Sequence, residues 1–210
     1  RVEGLTIVIQ AGGSSTRIGK DKGLILFQEV PLVKYILHQV QDLADDVILI
    51  SNQPRRYRNV GFVVYRDVYP GRGALGGLYS AIYHAREETC LVLACDMPFV
   101  NRSLIKYMID LAPGFDAVVP KLGIRDYFEP FRAVYRKSCL GPIEAALDRG
   151  KQRVISFFDD VNVRIVKRVE IERFDPESRS FININTAEDL ERAELLVSED
   201  QKKGTGSGGV

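Results

Sequence analysis

The sequence predicts an α/β domain built on a mostly parallel, mixed sheet. Three observations carry that prediction. Short, uniformly apolar runs such as Leu5–Ile9 and Cys90–Ala94 read as parallel strands covered on both faces. Apolar residues at helical spacing lie between them, as in Val33, Ile36, Leu37, Val40 and Leu43. Strands and helices alternate over the first 120 residues and then give way to strands in closer succession. The first pattern calls for right-handed crossovers. The second calls for an antiparallel addition to the sheet.

In chain order, Leu5–Ile9 is the first strand, followed by a glycine-rich loop from Gln10 to Lys22. Pro31 to about Ala44 is a helix with proline near its first turn. Val47–Ile50 and Phe62–Tyr65 are strands, Arg66 to Gly77 is a loop, and Leu78 to about Arg86 is a helix. The strand Cys90–Ala94 ends at Cys95-Asp96-Met97-Pro98. Asn101 or Ser103 caps a helix running to Leu111. Ala117–Val119 and Pro130–Tyr135 are strands, Ser138 caps a helix through Leu147, and Val154–Phe158 adds a helical turn or two. Val163–Val166 and Ser180–Ile184 are read as strands. Thr186 and Asp189 have capping-box spacing and open the last helix, which ends near Val197. Residues 1–200 are expected to form one domain, and 201–210, rich in lysine, glycine and serine, a flexible tail.

Composition narrows the function classes. A 45% hydrophobic fraction over 210 residues supports a sizeable core. A net charge of +1 gives no global attraction to nucleic acid or anionic membrane. No apolar run reaches membrane-spanning length. Arg55-Arg56-Tyr57-Arg58, the densest basic run, reads as a solvated turn. The three cysteines, Cys90, Cys95 and Cys139, lack metal-site spacing and fit a reducing cytoplasm.

The loop Gln10-Ala11-Gly12-Gly13-Ser14-Ser15-Thr16-Arg17-Ile18-Gly19-Lys20-Asp21-Lys22 suits polyphosphate. Glycines let successive amides turn toward one anion, and lysine and arginine add full charge. A solvated glycine-rich turn is the alternative reading. The loop is neither a Walker A loop, since Lys20 precedes Asp21 and not Ser or Thr, nor a dinucleotide fingerprint. Gly71-Arg72-Gly73-Ala74-Leu75-Gly76 does satisfy the letter of that fingerprint. It does not follow the first strand, and no acidic partner stands at the required distance.

Asp96, directly after a buried strand, is placed either to hold a hard cation such as Mg²⁺ or to cap the next turn. Three candidate sites fall at carboxyl ends of strands: the Gln10–Lys22 loop, Asn52 and Asp96. Ligands of open α/β sheets bind at those ends. Strand alternation would put Asn183 and Asn185 on one face, with helix-start chemistry as the other reading. His38 and His84 lie in helices and read as packing or surface residues.

Ala11-Gly12-Gly13-x-Ser15-x-Arg17-Ile18-Gly19-x-Asp21-Lys22 resembles the signature loop of the molybdenum cofactor guanylyltransferases, with Gln10 in place of the usual leucine and Ile18 in place of methionine. Cys95-Asp96-Met97-Pro98 resembles the family's Cys-Asp-x-Pro segment. Asp67 to Leu78 resembles its glycine-rich segment, with Ala74 for proline and Gly76 for alanine. Asn183 to Leu190 is similar to its Asn-x-Asn-Thr-Pro-Glu-Asp-Leu ending, with Ala187 for proline. Pro130-Phe131 to Tyr135 and Gly150 to Val154 resemble the remaining blocks.

The resemblance spans about residues 5 to 197 and implies a three-layer αβα Rossmann-like nucleotidyltransferase fold. It implies Mg²⁺-dependent transfer of GMP from GTP to the phosphate of molybdopterin, in the cytoplasm. Arg17, Lys22 and Asp96 are then catalytic, with Asp96 the metal ligand. Gln10, Ala11, Gly12, Gly13, Lys22, Asn52, Asp67 and Asp96 contact the nucleotide, and Asn183 and Asn185 lie on the acceptor side. No nucleic acid or membrane partner is implied, and a monomer is favoured. Two alternatives remain open. One is a nucleotidyltransferase using CTP or another acceptor, such as cobinamide phosphate or a sugar phosphate. The other is a nucleotide-binding regulatory module without chemistry.

Overall fold

Strand β1 (Leu5–Gln10) is buried along its whole length and lies inside a seven-stranded sheet. The computed structural model describes residues 2–11, 21–61, 63–123 and 127–205, the last three by backbone alone. After β1 come the hairpin β2 (Leu26–Phe27) and β3 (Val30–Pro31), helix α1 (Leu32–Val40), and strands β4 (Asp46–Ile50) and β5 (Val63–Tyr65). Helix α2 (Gly73–His84), β6 (Thr89–Ala94), α3 (Arg102–Asp110), β7 (Ala117–Lys121) and β8 (Arg132–Arg136) follow. The chain continues through α4 (Leu140–Asp148), β9 (Val163–Lys167), the single turn α5 (Arg168–Ile171) and α6 (Ala187–Thr205).

The sheet order is β5-β4-β1-β6-β8-β7-β9. Strand β8 runs antiparallel to both neighbours, and every other pairing is parallel. The mostly parallel mixed sheet of the sequence reading is therefore the observed one. Period-two alternation divides β1 between two cores. Leu5, Ile7 and Ile9 pack with Val33, Ile36 and Val40 of α1 and Leu104, Ile105 and Met108 of α3. Val8 faces the opposite layer, with Leu75, Leu78 and Ile82 of α2 and Ile143, Ala146 and Leu147 of α4. Each such fully buried aliphatic side chain contributes about 1.5–3 kcal/mol, which makes the sandwich of helix, sheet and helix self-supporting.

The topology also fixes where a ligand belongs. From β1 the chain builds outward through β4 and β5, then crosses back through α2 to place β6 on the other side of β1. The strand order reverses at β1 and β6, and ligands of open α/β sheets bind outside the carboxyl ends of the strands at such a reversal.

Four expectations are corrected. Helix α2 starts at Gly73, within the segment expected as a loop, because Gly76 and Gly77 are packing positions. A Cβ at Gly76 would meet the Tyr69 carbonyl oxygen at 3.0 Å, and one at Gly77 would meet Gln10 Nε2 at 3.0 Å. Ser138 is not a helix cap. It lies in a 3₁₀ turn, Lys137–Cys139, that precedes α4, and its hydroxyl bonds Asp116 at 2.5 Å. Ser180–Ile184 is not a strand. The Asp175 carboxylate accepts from the backbone N–H groups of Arg179 and Ser180 at 3.0 and 2.8 Å and winds a 3₁₀ turn, Arg179–Phe181. Helix α6 continues to Thr205, beyond Val197 and into the segment expected as tail.

Other expectations hold. Asn101 caps α3 by accepting from Leu104 N–H at 2.9 Å. The capping box of α6 is present with aspartate. Asp189 N–H donates to Thr186 Oγ1 at 3.1 Å, and Asp189 Oδ2 accepts from Thr186 N–H at 3.0 Å. Strand β5 begins at Val63, and Phe62 lies outside the described residues.

Candidate active site

The carboxyl edge of the sheet gathers several of the candidate side chains. Gln10 ends β1 and Asp96 follows β6 by two residues. These strands pair in parallel with Gln10 opposite Ala94, so their exits are adjacent. The Cys95 N–H donates to the Gln10 carbonyl at 3.1 Å and ties the two exits together.

Lys22 opens a 3₁₀ turn, Lys22–Leu24, capped by Asp21, which accepts from Gly23 N–H at 3.3 Å. The Tyr57 hydroxyl, fully buried, also donates to Asp21. Arg56 Nη1 reaches 4.0 Å from the same carboxylate. The basic run read as a solvated turn is thus anchored by its tyrosine, a role that sequence spacing does not announce. With Asp21 pinned from several sides, the backbone that carries Lys22 is fixed.

The Lys22 ammonium donates to Asp96 Oδ2 at 2.8 Å and to Asn185 Oδ1 at 2.6 Å. Three segments far apart in sequence therefore meet at one cation. Asn185 is held there by its own backbone, since its N–H donates to Asp189 Oδ2 at 3.0 Å. The neighbouring Ile184 N–H donates to the Asp96 carbonyl at 2.8 Å. Residues 182–185 lie outside any sheet, so the strand argument that paired Asn183 with Asn185 does not apply. Only Asn185 is placed against Lys22 and Asp96.

A second group lies beyond β4 and β5. Asn52 Nδ2 donates to Asp67 Oδ2 at 2.7 Å, and Asn52 Oδ1 accepts from Asp67 N–H at 3.1 Å. Asp67 Oδ1 and the Oε1 atom of Gln10 are buried and have no hydrogen-bond partner. Gln10 packs beneath Gly77. Two acceptors unpaired among the described residues, at the carboxyl edge, suit a molecule with N–H or O–H donors. Ala11 is buried, and its N–H donates to the Ile50 carbonyl at 2.9 Å. That amide is spent on the sheet and is not free for phosphate. Gly12, Gly13 and Arg17 lie outside the described residues.

No group of three His, Cys, Asp or Glu side chains able to hold a metal occurs among the described residues. The oxygens of Asp96 and Asn185 nonetheless converge on one cationic group, the Lys22 ammonium. A hard-oxygen pair of this kind fits Mg²⁺, which takes one or two protein oxygens and completes its shell with phosphate and water.

Two further residues beside this site escaped the sequence reading. Arg132, on β8, is 1% exposed and donates through Nη2 to the Met97 carbonyl at 2.7 Å. Burial raises the Glu129 carboxyl to about 7, the Arg132 charge opposing and the Asp96 charge adding to the rise. A buried arginine inside a strand pattern leaves no periodicity signal by which to find it.

The histidines and cysteines behave as expected. His84 stacks on Tyr65 at 4.4 Å between ring centroids, and burial lowers its pKa. His38 is exposed on α1. All three cysteines are free and buried, and burial pushes each thiol up, which keeps them unreactive. No helix among the described residues is long and apolar enough to cross a membrane.

The chain is similar in sequence and in fold to known proteins. The sequence model of the MobA-like NTP transferase domain matches residues 7–163. A probable molybdenum cofactor guanylyltransferase of Clostridium perfringens is 32% identical, over 87% of this chain and 92% of its own. A similarly named protein of Methanosarcina mazei is 36% identical, over 88% of this chain and 87% of its own. Among solved structures, molybdopterin-guanine dinucleotide biosynthesis protein A of Archaeoglobus fulgidus superposes with a TM-score of 0.79 at 27% identity, covering 92% of this chain and 99% of that one. A cytidylyltransferase of Thermus thermophilus shares the fold, with a TM-score of 0.68 at 19% identity over 92% and 98% of the two chains.

Proposed function

Because the chain belongs to the MobA-like NTP transferase family, we propose that it transfers GMP from GTP to the terminal phosphate of molybdopterin. The products are the guanine dinucleotide form of the cofactor and pyrophosphate. The observation that carries this reading is the meeting of Lys22, Asp96 and Asn185 at the strand-order reversal.

In the proposed reaction a phosphate oxygen of the acceptor attacks the α-phosphorus of GTP. The bond to the bridging oxygen breaks and pyrophosphate leaves with that electron pair. Such transfer needs positioning and charge neutralisation more than a covalent nucleophile. Lys22 has three N–H donors, of which Asp96 and Asn185 take two. The third is left for an oxygen of the reacting phosphates, where negative charge grows in the transition state. Arg17, from the same loop, is assigned the same task. Asp96 would hold Mg²⁺, with Asn185 beside it. When bound, that cation neutralises phosphate charge and makes the α-phosphorus more electrophilic. Gln10, Gly12, Gly13, Asn52 and Asp67 are assigned to the nucleotide side and Asn183 and Asn185 to the acceptor side. The buried free thiols of Cys90, Cys95 and Cys139 support a reducing, cytoplasmic setting.

The test is pyrophosphate release from GTP with Mg²⁺, with and without molybdopterin. Acceptor-dependent release supports the proposal. Release from CTP alone, or only with a sugar phosphate or cobinamide phosphate, moves the substrate. Nucleotide binding with no release under any condition assigns the chain to regulation.

A further inference from the structure

Arg132 is a charge that the sheet has no evident structural use for. It lies in the register pairing of β8 with β6, opposite Leu93, and is 1% exposed. Nη2 donates to the Met97 carbonyl at 2.7 Å, but Nε and Nη1 are buried without a partner among the described residues. Burial pulls its pKa down to about 10, and the charges of Glu129, Asp96 and Asp175 pull the other way, so the group remains a cation at neutral pH. A buried guanidinium with unmet donors costs several kcal/mol, and an apolar replacement of similar volume is often neutral or stabilising. Stability alone therefore gives no reason for an arginine here.

The one hydrogen bond its side chain makes among the described residues supplies a reason. The turn Cys95-Asp96-Met97-Pro98 is held at four backbone points, one of them the Pro98 carbonyl, which accepts from Gln39 Nε2 at 2.8 Å. At the others, Cys95 N–H donates to the Gln10 carbonyl at 3.1 Å, the Asp96 carbonyl accepts from Ile184 N–H at 2.8 Å, and the Met97 carbonyl accepts from Arg132. The Cys95 and Asp96 bonds fix the turn to β1 and to the Asn185 segment. The Met97 bond is a charge-assisted bond from one guanidinium nitrogen, Nη2, of a fully buried side chain. The Asp96 carboxylate lies within electrostatic reach of the same guanidinium.

We propose that Arg132 is a positioning residue for the reaction, holding the Asp96 turn in the conformation that accepts a divalent cation and the nucleotide phosphates. The proposal rests on the assignment of Asp96 to the nucleotide site.

The test uses Mn²⁺ as the probe, titrated into the full chain with and without GTP and followed by its paramagnetic resonance, on wild type and Arg132→Met. Arg132→Met is expected to keep its melting temperature within a few degrees, or to raise it. Its Mn²⁺ affinity in the presence of GTP should fall by about tenfold or more, with metal-free GTP binding changed by less than about threefold. A melting temperature lowered by more than about 10 °C, or equal losses with and without metal, overturns the proposal in favour of a packing role. Wild-type Mn²⁺ affinity in Arg132→Met overturns it alone. A wild-type protein that binds neither Mn²⁺ nor GTP overturns the assignment of the site as well. Should Arg132→Met not fold, Arg132→Lys decides. It keeps the charge and removes the Nη2 donor to the Met97 carbonyl, so at least a threefold loss of Mn²⁺ affinity is expected, and no loss overturns the proposal.

Discussion

The Lys22 ammonium lies 2.8 Å from a carboxylate oxygen of Asp96, 74 residues further along the chain. The side chains are 17% and 20% exposed, so the pair is partly screened yet open to a ligand. It joins the two loops that leave the adjacent exits of β1 and β6, and Asn185 closes it from a third segment.

Lys22→Ala is expected to lower turnover by about 10²-fold or more, the size of effect seen when one preorganised charge donor is lost. The fold should survive, because Lys22 packs no core. Turnover within a few-fold of wild type, in a variant with normal circular dichroism, removes Lys22 from the mechanism.

Tyr57→Phe tests the anchor under that lysine. The Tyr57 hydroxyl donates to Asp21, whose side chain is only 9% exposed. Its removal leaves a largely buried carboxylate short of a donor, at a cost of about 1–3 kcal/mol. Chemical denaturation should show that loss, with turnover falling as the Lys22 turn loosens. Unchanged stability and unchanged turnover together contradict the anchoring role.

Gly76→Ala is expected to destabilise the fold by about 1–3 kcal/mol, the range for overpacking a tight contact. The new Cβ would lie 2.8 Å from Arg72 Cβ and 3.0 Å from the Tyr69 carbonyl oxygen. Stability equal to or above wild type, as expected of a glycine-to-alanine change in an unconstrained helix, would show that the contact yields freely.

Glu129 makes stability depend on pH. Its ordinary value of 4.5 is raised to about 7 in the fold. A raised carboxyl binds a proton more tightly folded than unfolded, so its contribution is greatest below about 4.5 and is lost as pH rises through about 7. Glu129→Gln cannot ionise. Relative to wild type it should gain of order 1–2 kcal/mol between pH 5 and pH 8, allowing for partial solvent access. Parallel stability curves for the two proteins over that range would contradict the shifted carboxyl.

Much of this was legible in the sequence because it rests on local pattern. The apolar run Leu5–Ile9 is a buried central strand, and the spacing of Val33, Ile36 and Val40 faces α1 inward. The Thr186–Asp189 spacing is a working capping box. Where long-range contacts decide, the pattern is silent or misleads. The alternating Ser180–Ile184 run looks like a strand, but the Asp175 carboxylate captures the backbone N–H groups of Arg179 and Ser180 at its start. Gly76 and Gly77 look like loop residues, but they face Tyr69 and Gln10 and belong to a helix. Within the site, the residue types at Lys22, Asp96 and Asn185 were readable. That one ammonium bridges the other two was not, since nothing local relates Asn185 to Lys22. Tyr57 and Arg132 hold the site from within the core, where an isolated polar residue has no signature.

The most direct test of the central claim is calorimetric titration of GTP, CTP and ATP with Mg²⁺ into wild type and Asp96→Ala. The account predicts tightest binding of GTP, weakened by about tenfold or more in Asp96→Ala. Equal binding of GTP to both proteins, or no binding of any nucleotide, would contradict the assignment of a nucleotide site to Lys22, Asp96 and Asn185.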